Sequence, residues 1–126
     1  MVVGLGIDLV DIARLEALFE RHPGRAAARL FTPDELAECE ARSNPAECLA
    51  ARFAAKEAFL KALGTGLRDG ITWRHIRLGN GAHGRPVIET TDRASEKLGK
   101  LGATTVHVTM THDAGIAAAV VVIEAG

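Results

Sequence analysis

Asp8 stands near the end of the alternating apolar stretch Val3-Gly4-Leu5-Gly6-Ile7-Asp8-Leu9. A carboxylate in that setting is costly unless it is solvated, paired or bound to a metal. A strand-end turn or helix cap would also use it. Asp11 is equally suited to capping a helix that starts at Ile12. Further on, Phe53, Glu57 and Lys61 recur every four residues, on one face of a helix, with Arg52 and Lys56 beside them. One hard oxygen ligand among several cations meets the needs of a magnesium-bridged polyphosphate. The same spacing also makes an ordinary Glu57–Lys61 surface pair, worth roughly a few tenths of a kcal/mol. Gly64-Thr65-Gly66 follows directly. Its amides can meet an anion, or the glycines can simply end the helix. His112-Asp113 offers an imidazole for hydrogen bonding or proton transfer beside a carboxylate, or alternatively a hairpin turn. Gly4-x-Gly6 is an incomplete dinucleotide loop: Leu9 replaces the third glycine, and the glycines fall inside the strand rather than after it.

The elements that must position these groups follow from periodicity. Residues 2–9 alternate as a strand, and Gly4 and Gly6 leave one face bare, so that another element can approach closely. Ile12, Leu15, Leu18 and Phe19 have helical spacing up to about Arg21, where His22-Pro23-Gly24 breaks the pattern. Thr32-Pro33-Asp34-Glu35 predicts a capping box, with Phe31 and Leu36 as a hydrophobic staple and a helix end near Arg42. Ala46 to Leu63 is rich in Ala, Leu, Glu and Lys, has no interior breaker, and predicts a long helix closed by Gly64. Strands are predicted over Trp73–Leu78 and Pro86–Thr90, and a helix over Asp92–Leu101. A terminal hairpin pairs Thr104–Thr111 with Ile116–Glu124. Hairpins outnumber βα alternations, so the expected class is α+β: a mainly antiparallel sheet packed against a long central helix.

The chain has 126 residues and a formal net charge of −1, so a single domain spanning 1–126 is expected. Near-neutrality argues against a dedicated nucleic-acid partner, and aromatics at 4% with no Tyr leave no stacking platform. The balance is local, however. From Ile12 to Arg29, four arginines (14, 21, 25, 29) face Glu16 and Glu20, a net of +2; from Phe31 to Glu47, five acids face Arg42, a net of −4. The basic stretch suits an acidic protein partner. Cys39 and Cys48 match no metal-ligand spacing and are too few for a disulfide scaffold, so they read as small core or surface residues. No signal segment and no apolar run of membrane-spanning length is present, and a soluble cytoplasmic protein is expected.

Three blocks, taken in order, resemble the holo-[acyl-carrier-protein] synthase family, the small bacterial 4'-phosphopantetheinyl transferases. They are Gly6-Ile7-Asp8-Leu9-Val10-Asp11-Ile12-Ala13-Arg14, the segment from Arg52 to Gly66, and Val106 to His112. Phe31 to Glu35 adds a weaker match. The usual Ser before the last His is Thr111 here, Asp113 follows it, and an aromatic often found nearby is Ile116.

The resemblance implies the 4'-phosphopantetheinyl transferase fold and transfer of phosphopantetheine from coenzyme A to a serine of apo acyl carrier protein. It implies Mg²⁺ held by Asp8 and Glu57, with Lys61 offsetting charge on the reacting phosphate. Arg52, Lys61, Gly64, Thr65, Gly66 and His112 would hold coenzyme A. Glu57, acting through a metal-bound water, is the first candidate base, and Asp113 the second. Arg14, with Arg21 and Arg25, would meet the acidic carrier. Fatty-acid and polyketide carriers fit alike. The resemblance also implies homotrimers with sites between subunits, in keeping with one short domain that can hardly surround both substrates. A non-catalytic carrier-binding domain of the same fold and a dinucleotide-binding module are the alternatives.

Overall fold

The computed structural model describes all residues, Met1–Gly126. The element order is β1 (Val2–Asp11), α1 (Ile12–Arg21), α2 (Arg25–Leu30), α3 (Pro33–Glu40), α4 (Pro45–Leu63), β2 (Ile76–Asn80), β3 (Pro86–Thr90), α5 (Asp92–Lys100), β4 (Ala103–Asp113) and β5 (Ile116–Ala125). All strand pairings are antiparallel, as expected for the α+β class, but they form two sheets: a three-stranded sheet β1-β5-β4 and a two-stranded sheet β2-β3. No helix is long and apolar enough to cross a membrane.

The long helix α4 is the centre of the molecule. From Leu49 to Leu63 every residue is buried except Phe53, Glu57 and Lys61. A helix that is apolar nearly all round must be covered on nearly all sides. β1 and β5 supply much of that cover. The bare strand face performs the role its glycines suggest: a Cβ on Gly6 would lie 1.9 Å from the Ala58 carbonyl oxygen, and one on Gly4 2.2 Å from that of Ala62. Two apolar clusters flank the helix. One joins Ala54, Ala58, Phe59 and Leu63 to Ile76, Leu78, Val121 and Ile123. The other joins Leu49, Ala50 and Ala51 to Leu15, Leu30, Phe31 and Cys39.

Local signals set several boundaries. Asp11 caps α1, its carboxylate accepting from Arg14 N–H at 3.3 Å. The Thr32–Glu35 capping box forms in full at α3. Gly64 ends α4 in the left-handed conformation, at φ +80°. The terminal hairpin turns through Ala114 and Gly115, both with positive φ, the pair of values that matches strand twist.

Other boundaries differ from expectation. α4 starts at Pro45, one residue early, because Asn44 caps it. α3 stops at Glu40, not near Arg42. Trp73–His75 is one 3₁₀ turn rather than the start of a strand, which begins at Ile76. β1 runs on to Asp11 because β5 pairs with it throughout that stretch. The six-residue helix α2, between Pro23-Gly24 and Phe31, had no periodicity long enough to announce it. Cys39 and Cys48 are not independent core or surface residues: they are joined in a disulfide.

A sequence-distant ion pair fastens α3 to α4. Lys56 and Glu35 are both fully buried, with Lys56 Nζ donating to Glu35 Oε1 (2.7 Å) and to the carbonyls of Leu30 (2.8 Å) and Trp73 (3.2 Å). Glu35 also accepts from the Thr32 and Leu78 amides. Burial lowers the Lys56 pKa, against the pull of Glu35. Removing either partner would leave a buried charge, at a cost of about 3–5 kcal/mol. Lys56 is therefore a structural residue rather than one of the free cations the sequence suggested.

Candidate active site

β1 and α4 bring Asp8, Glu57 and Lys61 together. Lys61 Nζ lies 2.8 Å from Asp8 Oδ1 and donates to the Ile7 carbonyl at 3.0 Å. The lysine thus answers Asp8 across 53 residues of sequence rather than Glu57 one turn away, so the surface Glu57–Lys61 pair does not form. Asp8 is mostly shielded, at 12% side-chain exposure, whereas the Lys61 side chain is 56% exposed and its ammonium reaches outward. Burial, and then the neighbouring Asp8 charge, raise the Glu57 pKa. The hydrogen bond to Asp8 raises that of Lys61, which stays protonated.

Two carboxylates crowded in this way suit a hard divalent cation. No group of three or more His, Cys, Asp or Glu side chains converges anywhere in the chain. A hard divalent cation held here would take two protein oxygens, and its remaining positions would fall to phosphate and water, as magnesium prefers. The residues present fit that ion.

Two cavities meet at Glu57. One, of about 320 Å³, is lined by Asp8, Asp11, Arg14, Leu15, Leu18, Arg21, Phe53 and Glu57 among others. The second, of about 440 Å³, is lined by Glu57, Leu60, Lys61, Gly64, Gly66, Leu67 and Trp73. Thr65, between the two glycines, is buried, and its hydroxyl donates to the Gly66 carbonyl at 3.0 Å. Arg25 lies apart, in a groove with His22, Arg29, Leu18, Leu30 and Trp73. The basic residues singled out from sequence thus form a rim beginning beside the carboxylates.

A further cavity, of about 350 Å³, holds the remaining cations. Arg52 and His112 line it, together with Arg42, Glu47 and Asn80, which sequence reasoning missed because each sits in an unremarkable polar loop or helix start. Arg52 is only 3% exposed. It donates to the Leu78 carbonyl at 2.7 Å and lies 3.0 Å from Glu38 Oε2, an oxygen with no hydrogen bond of its own, so that contact rests on charge. His112 Nε2 lies 3.4 Å from Glu47 Oε1. This cavity shares no lining residue with the two at Glu57. Arg52 and His112 thus line a different cavity of the chain from Glu57 and Lys61.

Asp113 joins neither group. Asp8 aligns with Ala119 and Met110, whereas Asp113 aligns with Ile116 and Asp11. Asp113 is three positions on from Met110, an odd offset, so alternation turns it to the other face of the sheet. His107, given no role from sequence, pairs with Glu124 on the outer face.

Comparisons with known proteins identify the family and the fold. A family model described as the 4'-phosphopantetheinyl transferase superfamily matches residues 4–120. A protein of Trichlorobacter lovleyi named holo-[acyl-carrier-protein] synthase is 46% identical over 125 residues, covering 99% of each chain. The crystal structure of the Neisseria meningitidis holo-[acyl-carrier-protein] synthase superposes with a TM-score of 0.91 at 37% identity, over 98% of this chain and 99% of that one. The Helicobacter pylori enzyme, solved in complex with coenzyme A, gives 0.83 at 31% identity, over 95% and 99%. The chain belongs to the 4'-phosphopantetheinyl transferase superfamily, within its holo-[acyl-carrier-protein] synthase family.

Proposed function

We propose that this chain transfers 4'-phosphopantetheine from coenzyme A to a serine of apo acyl carrier protein, releasing adenosine 3',5'-bisphosphate. The observation that carries the reading is the Asp8–Glu57–Lys61 cluster at the meeting of β1 and α4, beside a basic rim. The serine oxygen attacks the β-phosphorus of coenzyme A. The bond from that phosphorus to the bridging oxygen breaks, and the bisphosphate leaves with the oxygen. Lys61, charged and half in solvent, offsets charge on the phosphate oxygens. Glu57, where the two cavities meet, takes the serine proton. Asp8 and Glu57 would hold Mg²⁺, which when bound neutralises the pyrophosphate. Gly66 borders the same cavity as Lys61 and offers its backbone amide to the substrate, whereas the Gly64 amide, which the sequence also suggested, is spent closing α4 on the Leu60 and Lys61 carbonyls.

Arg52 and His112, with Arg42, would bind the remaining coenzyme A phosphates, and Arg14, Arg21 and Arg25 would meet the acidic carrier. Because one chain separates these cations from Glu57, a neighbouring subunit is needed to complete a site, and we propose a homotrimer. The outer face of β1 supports it: Leu5, Ile7 and Leu9 are 67%, 60% and 67% exposed, in register with Val122, Val120 and Ala118. An uncovered apolar surface of this kind marks an interface.

Glu57→Gln tests the chemistry. Loss of transfer with coenzyme A still bound supports both roles given to Glu57. Full activity in that variant overturns both.

A further inference from the structure

We infer that Cys39 and Cys48 form a reversible thiol–disulfide site that sets the affinity of the neighbouring anion cavity. The inference rests on the proposal that this cavity, with Arg42, Arg52 and His112, holds coenzyme A phosphates. Cys39 lies in the last turn of α3 and is fully buried, whereas Cys48 lies early in α4, is half-buried and lines the cavity. The loop that the bridge encloses contains Arg42, Ser43 and Asn44, all three of which also line the cavity. Beyond the bridge, that loop is held mainly by its own hydrogen bonds, Arg42 N–H donating to the Cys39 carbonyl and Glu47 N–H donating to Asn44 Oδ1.

The bridge is one of three staples between α3 and α4, with the Glu35–Lys56 and Glu38–Arg52 pairs. Glu38, next to Cys39, faces Arg52, one helical turn after Cys48. With the disulfide closed, the loop cations are already ordered when a ligand arrives, and less ordering entropy opposes binding. With it open, the two ion pairs still hold α3 to α4, but the loop that carries Arg42 loses its covalent tie, and Arg42 must be ordered by the ligand.

The chemistry balances with an external dithiol as reductant. One of its thiolates attacks the Cys48 sulfur, which borders the cavity, and the Cys39 sulfur leaves and takes up a proton. The second thiolate of the reagent then releases Cys48. The protein gains two electrons and two protons, and the reagent ends as its disulfide. No other cysteine exists in the chain to divert the exchange. In a reducing compartment a bridge of this kind is transient and acts as a sensor.

The test measures coenzyme A binding by calorimetry to the oxidised protein and to the same protein reduced with dithiothreitol, with thiols counted in each sample. The inference expects at least about fivefold weaker binding after reduction, the lower end of ordinary coupling between sites. A Cys39→Ala, Cys48→Ala double variant should bind like the reduced protein and ignore the reductant. Equal affinity of the two forms, or a pair that counts as two free thiols after oxidant, overturns the inference alone. Absence of coenzyme A binding to either form overturns the cavity's proposed ligand, and the inference with it.

Discussion

Gly6→Ala separates the packing of β1 on α4 from everything else the site does. A Cβ there would lie 1.9 Å from the Ala58 carbonyl oxygen and 2.9 Å from the Ala62 amide nitrogen. Ordinary contact begins near 3.4 Å, so strand and helix must part locally by 3.4 − 1.9 = 1.5 Å. The obstructing atoms are helix backbone and cannot rotate away. Such overpacking costs about 1–3 kcal/mol. The functional effect should be larger, because the same contact sets the separation of Asp8, two residues along β1, from Glu57 and Lys61. A misplacement of about 1 Å at reacting groups costs about 100-fold in rate. We therefore expect kcat/KM for transfer to fall about 100-fold, while the urea midpoint shifts only as far as the overpacking term requires. Gly99→Ala in α5, where a Cβ meets nothing within 4 Å, is the control and should keep full activity. A Gly6→Ala protein with wild-type rate and midpoint would refute the claim that close β1–α4 approach builds the site.

Arg14→Glu should weaken carrier-protein binding, and the wild-type affinity should fall as salt rises, while coenzyme A affinity is unchanged; carrier affinity unaffected by the substitution would reject the docking surface. Mixing Glu57→Gln subunits with Arg42→Ala, His112→Ala subunits, each inactive alone, should restore about a quarter of wild-type activity, because one interface in four then has both halves intact. No recovery after subunit exchange would mean that each chain uses its own groups. Asp34 is held below the ordinary carboxylate value of 3.8, first by the Thr32 hydroxyl and then by Arg77. The stability it contributes is therefore present above pH 3.8 and is lost as pH falls through the lower folded value. Asp34→Asn should cost less than about 1 kcal/mol at pH 6, since the pair is exposed, and the difference from wild type should shrink below pH 3.8, as read from urea midpoints.

Much of this architecture was legible because it is set by near neighbours. The Thr32 capping box, the breaker-free run into Gly64 and the alternation of β1 each depend on residues a few positions apart. The bare glycine face announced a close approach, and the four-residue spacing of Phe53, Glu57 and Lys61 marked the single unburied stripe of α4. What the sequence left hidden depends on chain folding back on itself. Lys61 chose Asp8 over Glu57, Lys56 became a buried partner of Glu35, and Arg52 turned to Glu38. No local spacing signals those choices, because each requires two helices, or a helix and a strand, to be docked first. The separation of His112 and Arg52 from Glu57 was likewise invisible, since the strand and the helix that carry them are assigned correctly whichever cavity they face.

The most direct measurement is the intact mass of an apo acyl carrier protein after incubation with this chain, coenzyme A and Mg²⁺. The account predicts a gain of one phosphopantetheine group on a serine, matched by release of adenosine 3',5'-bisphosphate and absent with Glu57→Gln. A carrier protein that stays unmodified, with and without the metal, would contradict it.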